Sequence, residues 1–565
     1  MISLLMLAPA LLVAKDASDR GSSVSPAGDS WPNYSGDLSG RRYSPLAQIN
    51  RRNVKNLSLA WVARGFLEGS GTTGRAPGQT APGGAFGTVF GWRQTGAYPI
   101  TIGGEGTGDY NTGGPPTIRG TIVVADGVIY PTSPDNVWAV DARDGTILWQ
   151  YYWKTLGGTH TGHRGAAVAG NFLFTEFHDN FLVKLDVRTG KEVWRTKIAE
   201  FEQQYFSSAA PVVIDDHVLV GVGNDLDAPG FLQSYNAHTG KREWVLHTVP
   251  MNAGDPGMET WPSLDAARHG GAQPWVPGSF DPETRSYIFG TGNPTPAYTK
   301  GGRGNGVGLF TCSLVAVNVD TGRMVWYYQT SPRDMHDWDS AQTPVIFDAK
   351  IDGRVRKLVS TAARNGHFFT LDRTTGERIA SAKFATVSNW STGLDEAGRP
   401  MLNPGKVATV PGAIVNGSAT NWPPPAYSPQ TGLFYVPESN ALSIVYLTDN
   451  DPRGAMGLGG RQAVGIANYG TFITAIRPGT AQVAWRRPLP GGGGASGLLA
   501  TGGRLLFGGD GSGNLVAFDA TNGKPLWHAS LGAVTNAPVT YSLDGRQYLL
   551  IASGDLIYAF VLNEP

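Results

Sequence analysis

Cysteine is almost missing from this chain. Cys312 is the sole example in 565 residues, so no disulfide can form within it, and neither a CxxC zinc site nor a CxxCH haem attachment exists. Excess charge of either sign is missing too: 45 basic residues balance 45 acidic ones, and only 16% of positions are charged. With no basic patch or tail, the chain is expected to have no nucleic-acid partner. Sustained helical periodicity is nearly absent. No apolar run is long enough to span a bilayer. The opening "MISLLMLAPALLVAKDAS" holds about a dozen apolar residues, the length of a secretory h-region, although no basic residue precedes it. Residues 1–14 are therefore expected to act as a signal peptide, and the protein to be periplasmic or secreted.

Glycine (77), proline (38) and tryptophan (16) are abundant. Many glycines among short β-branched runs indicate an all-β chain rich in turns. One pattern recurs: Asp or Asn, Gly four residues later, then Trp four after that. It is written in "AVDARDGTILW" (Trp149), "KLDVRTGKEVW" (Trp194), "SYNAHTGKREW" (Trp244), "AVNVDTGRMVW" (Trp326) and "AFDATNGKPLW" (Trp527), with weaker copies around Asp372 and at Trp485. Each copy reads as strand, tight turn and returning strand. The Asp or Asn side chain closes the turn, and Gly takes the φ > 0 position. The Trp then falls at a fixed place, able to plug the gap between neighbouring units.

The first copies lie 45 and 50 residues apart, a period of four-stranded propeller blades. Counting degenerate units gives seven or eight blades. Residues 30–565 are thus expected to form a single-domain β-propeller, with a Gly-rich excursion at 66–118 and a flexible connector at 486–497 ("PGGGGASG").

The stretch "SPRDMHDWDSAQTP" (331–344) sets Asp334, Asp337 and Asp339 between two strand-like segments. Carboxylates are costly to bury, so the cluster reads either as a catalytic or metal site or as a tight acidic turn.

Several motifs together resemble the quinoprotein alcohol dehydrogenases. They are "WPNYSGDLSGRRYSPLAQINRRNVKNLSLAW" (31–61), "GTGNPTPAY" (290–298), "DWDSAQTPVIFD" (337–348), "RNGHFFTLDRTTGE" (364–377) and "NWPPPAYSPQTGLFYVP" (421–437). The resemblance implies an eight-bladed propeller that binds pyrroloquinoline quinone (PQQ) with Ca²⁺ and oxidises a small-molecule alcohol. Electrons would pass to a separate acceptor, a cytochrome c or a membrane quinone. It further implies Asp339 as the catalytic base and Asn293 as an amide ligand of the cation. Trp275 would be the floor under the cofactor ring, with Arg164, Ser208, Arg364, Asn421 and Trp422 as further cofactor contacts. Relatives that use lanthanides carry an additional Asp where this chain has Ala341, which points to calcium.

Three departures from the family pattern stand out. Leu226 occupies the place of a Glu metal ligand, flanked by Asp225 and Asp227, either of which could substitute; Asp225 is the preferred metal ligand. Arg119 stands where relatives place a Glu that contacts PQQ. The adjacent cysteine pair of many relatives is replaced by a loop with His160 and His163 in H-x-x-H spacing. Two expectations therefore remain open: a divergent PQQ-dependent dehydrogenase, or a propeller that has lost its cofactor and serves as a binding or assembly scaffold.

Overall fold

The D-x-x-x-G turns each join the third and fourth strands of an antiparallel sheet. One such sheet comprises Ala167–Ala169, Phe172–Phe177, Phe181–Asp186 and Glu192–Lys197. There Asp186 accepts hydrogen bonds from the N–H groups of Arg188 and Thr189 and from the Thr189 hydroxyl, at 2.8–3.1 Å. Gly190 follows at φ +67°. Asn236 and Asn318 close their turns in the same way. The computed structural model describes residues 28–64, 117–153, 162–301, 303–448, 457–491 and 496–563. Residues 1–14, His160 and all but the last two residues of the 66–118 excursion lie outside the described set.

The repeated tryptophans tie each sheet to the next. Trp149, Trp194, Trp244 and Trp326 lie over Gly190, Gly240, Gly322 and Gly376, so closely that a methyl group on any of these glycines would fall 2.6–2.9 Å from the indole. Each indole N–H donates to the carbonyl of the residue after the turn Asp or Asn: Val187, Ala237, Val319 and Arg373, at 2.9–3.3 Å. The weaker copies fit the same scheme, since Asp372 begins the turn that receives Trp326 and Trp485 lies over Gly523. Trp61 is a further member of the series, over Gly145 and bonded to Ala142. Trp527 differs: it meets Phe560 edge-on at 5.3 Å.

Among the described residues, eight sheets of four or five strands result, which makes the fold an eight-bladed propeller. The ring is closed by strand pairing. Leu57–Ala63 runs antiparallel to Leu556–Leu562 as the outer strand of the last blade, while Tyr43–Ser44 joins the blade before it through Leu499–Thr501. Outer strands alternate in exposure, as in Glu192–Lys197, whereas inner strands such as Phe181–Asp186 are mostly buried between packed sheets. Residues 486–489 of the expected flexible connector belong instead to the strand Gln482–Leu489, held by pairing with Thr471–Arg477.

Topology also decides where functional side chains meet. The start of a blade's first strand and the end of its second lie at the same end, because the two run antiparallel. Arg119, Arg164, Ser208, Trp275, Asp339 and Asn421 all precede first strands, and Asn224, Asn293 and Arg364 all follow second strands. One end of the propeller therefore collects residues from six blades.

Candidate active site

A cavity of about 370 Å³ opens at that end. Arg164, Ser208, Trp275, Asn421 and Trp422 line one part of it, and Asp225, Asp337, Asp339 and Arg364 another. The three aspartates of the acidic cluster are placed differently. Asp334 is a turn residue: its carboxylate accepts the N–H groups of His336 and Trp338 at 2.9 Å. Burial alone would raise its pKa, but these bonds with His336 and Arg303 hold it below the usual carboxylate range. Asp337 and Asp339 face the cavity.

Asp339 is fully buried. Its Oδ1 accepts from the Asn293 N–H at 2.7 Å and from the Asn224 amide at 2.9 Å, and its Oδ2 pairs with Arg364. Arg364 also holds Asp337 in a fork at 3.1 and 3.2 Å. Burial raises the pKa of Asp339, opposed by Arg364; burial pushes Asp337 up to about 7. Asp225 is raised well above its ordinary value by burial and then by the charges of Asp337 and Asp339. Burial would lower Arg364, but the two aspartates hold it above its usual value. Asp225 and Asp337 both adopt positive φ, near +69° and +68°, a conformation that non-glycine residues take at a cost.

Asn224 was missed by sequence reasoning, and it sits at the centre of this constellation. Its amide nitrogen lies 2.9 Å from Asp225 Oδ1, 2.8 Å from Asn293 Oδ1 and 2.9 Å from Asp339 Oδ1. An amide has two hydrogens for these three acceptors. Three oxygens converging on one point is the arrangement of a hard-cation site. The Asn224 Oδ1, meanwhile, is buried without a partner. Gly292 makes the approach possible, since a methyl group there would fall 2.0 Å from Asn224 Oδ1. The signal in the sequence is only that Asn224 precedes Asp225 in "GVGNDLDAPG". Asp227, the other candidate, turns away to His269 at 3.2 Å. Leu226 packs into the core beside Phe206 and Val222.

The other part of the cavity suits a flat anion. The Arg164 guanidinium stacks over Trp275 at 4.5 Å and Trp422 at 5.5 Å and donates to the Ser208 carbonyl at 2.8 Å. Arg164 Nε and Trp275 Nε1 are buried donors without acceptors. Ala341 packs against Trp275 and Val276, so no carboxylate approaches from that side chain. His163 is not set up as a metal ligand: Nε2 lies 2.8 Å from the Glu176 carbonyl, and Nδ1 accepts the Gly165 N–H at 3.1 Å. Burial pushes its pKa down to about 4.

Known proteins share this architecture. The family model described as "Glucose/ethanol/alcohol dehydrogenase, beta-propeller domain" matches residues 31–397, and one described as "Outer membrane protein assembly factor BamB" matches residues 470–560. The quinoprotein alcohol dehydrogenase PedH of Pseudomonas putida is 34% identical over 92% of this chain and 84% of its own length. The 1-butanol dehydrogenase (cytochrome c) of Thauera butanivorans is 32% identical over 94% of this chain and 75% of its own. The crystal structure of quinohemoprotein alcohol dehydrogenase from Comamonas testosteroni superposes with a TM-score of 0.78 at 28% identity, covering 95% of this chain and 81% of that one. The chain belongs to the PQQ-dependent quinoprotein alcohol dehydrogenase family.

Proposed function

We propose that this protein oxidises an alcohol in a reaction that requires bound PQQ and Ca²⁺. The observation that carries the reading is the convergence of Asp225, Asn293 and Asp339 oxygens on the position taken by the Asn224 amide. A cation there would be held by those three residues, and by Asn224 itself once its amide turns over. Arg164 Nε and the Trp275 indole N–H fit a carboxylated aromatic ring, with the Trp275 face beneath it. Bound there, PQQ would supply the hydride acceptor and the cation a Lewis acid beside it.

The chain's own residues do the rest. Asp339 takes the hydroxyl proton of the alcohol on its carboxylate. Its ion pair with Arg364 favours the charged, basic form against burial. Asp337, held by the same guanidinium, keeps Arg364 in place. Electrons then leave to a separate acceptor, a cytochrome c or a membrane quinone; the Thauera relative is named for cytochrome c. No helix among the described residues is long and apolar enough to cross a membrane. The apolar opening residues support export to the periplasm.

Reconstitution of the purified protein with PQQ and millimolar Ca²⁺ tests the reading. Bound-cofactor absorbance and dye reduction with members of an alcohol panel are expected. Absence of PQQ binding with and without Ca²⁺ would falsify it and leave the scaffold.

A further inference from the structure

Among the described residues, three arginines line the cavity, and only one of these is matched by carboxylates. Arg364 is ion-paired to Asp337 and Asp339. Arg164 forms no ion pair among the described residues, and its Nε is a buried donor with no acceptor there. Arg119 is exposed and lines the same cavity, with neither a hydrogen bond nor an ion pair among the described residues. Burial brings Arg164 down to about 10; Tyr34, Glu176 and Asp339 oppose that depression, and the Arg119 charge adds to it. An ordinary surface arginine is simply solvated and needs no partner. Here, however, the second cation is partly withdrawn from water, carries an orphaned donor, and stacks on the indole faces that the cofactor ring would use. Unmatched charge facing a partly enclosed space is costly until an anion arrives.

Resting on the cofactor reading above, we infer that Arg119 and Arg164 form a paired-guanidinium clamp for the carboxylates of PQQ, with Arg119 as the member that adapts this chain's charge to the trianion. Arg364 is already neutralised by its aspartates, so without Arg119 a single guanidinium would face the carboxylates. Of the carboxylates at the cation site, Asp339 is already paired with Arg364, and the neutral Asn224 stands among the site's oxygens. A second arginine shifts part of the cofactor's affinity from metal to protein. The clamp is partly exposed, so its contribution depends on ionic strength.

Calorimetric titration of PQQ into the full-length protein, with millimolar Ca²⁺ at low and at physiological salt, reads this without relying on turnover. Arg119→Glu is expected to weaken PQQ binding by about tenfold or more. Arg119→Gln should weaken it less and flatten its salt dependence. Arg52→Glu, at an exposed arginine outside the cavity lining, controls for net charge and should leave binding unchanged. Wild-type affinity in Arg119→Glu, or an equal loss in Arg52→Glu, overturns the clamp while the cofactor reading stands. Wild-type protein that binds no PQQ overturns both.

Discussion

Asn224 and Asp339 are 115 positions apart in the chain and hydrogen-bonded at 2.9 Å in the fold. The contact joins the blade of Val212–His247 to the segment entering the blade at Val345, across the axial end of the propeller. It places a neutral amide beside the proposed base, two residues before Leu226, which stands where the family pattern has an anionic metal ligand. Much of the chemistry expected of this site follows from that exchange.

Asp339→Asn should preserve the fold and remove turnover. The two side chains are nearly isosteric, but an amide cannot take the alcohol proton, and such losses cost about 10²–10⁴ in rate. Steady-state dye reduction by PQQ-loaded protein, with thermal unfolding as a fold control, measures it. Wild-type turnover in the variant removes Asp339 from the role of base.

Asn224→Asp adds a carboxylate beside Asp225 and Asp339. Without a cation, like charges should lower the melting temperature; with millimolar Ca²⁺ the variant should regain more than the wild type does. The measurement is the Ca²⁺-induced shift in melting temperature. A shift equal to that of the wild type would show that no cation occupies the point where these oxygens meet.

The turn glycines separate backbone strain from steric conflict. Gly240 has φ +68°, and a methyl group there would lie 2.9 Å from the Trp194 ring, whereas Gly353 has φ +80° with nothing within 4 Å. Gly353→Ala should cost about 1–2 kcal/mol from the left-handed backbone alone. Gly240→Ala should add about 1–3 kcal/mol as the Trp194 indole is displaced. Urea unfolding of both variants supplies the comparison; equal losses would mean that the indole stacking contributes nothing.

Glu176 gives a pH dependence with a defined sign. It is buried to 1% exposure, and burial pushes its pKa from 4.5 up to about 8. Ser207 and the Arg164 charge oppose that rise, and Tyr235 and Tyr287 are the other titratable groups that sense Glu176. The folded state thus binds a proton that the unfolded chain has released. Stability should fall as pH rises between those two values, by about 1.4 kcal/mol per pH unit from this group. Glu176→Gln should flatten the pH profile of urea midpoints across that window. An unchanged slope would show that Glu176 is not a buried acid.

The sequence by itself determined the blade. Period and turn are local features, because Asp186 and Gly190 act through hydrogen bonds and backbone conformation within a few residues of one another, and Trp194 follows at a fixed spacing even though its partners, Ala237 and Gly240, lie in the next blade. Trp61 escaped the series because no D-x-x-x-G turn precedes it: its strand, Leu57–Ala63, reaches its blade by pairing with Leu556–Leu562 from the other end of the chain and not through a hairpin. That Asp339, Arg364 and Trp275 line one cavity, with Asn293 bonded to Asp339, agrees with the recognisable stretches in which they sit. Asn224 was not legible, since its stretch is one where the family spacing breaks and no local rule says which of Asn224, Asp225 and Asp227 turns inward. Tertiary structure decided that: the glycine backbone at Gly292 leaves room for one side chain, and Asp227 finds His269 at the surface instead. The unmatched state of Arg119 and Arg164 was likewise invisible in one dimension. Whether a charge has a partner depends on which blades bring carboxylates within reach, and six blades meet at this end of the axis.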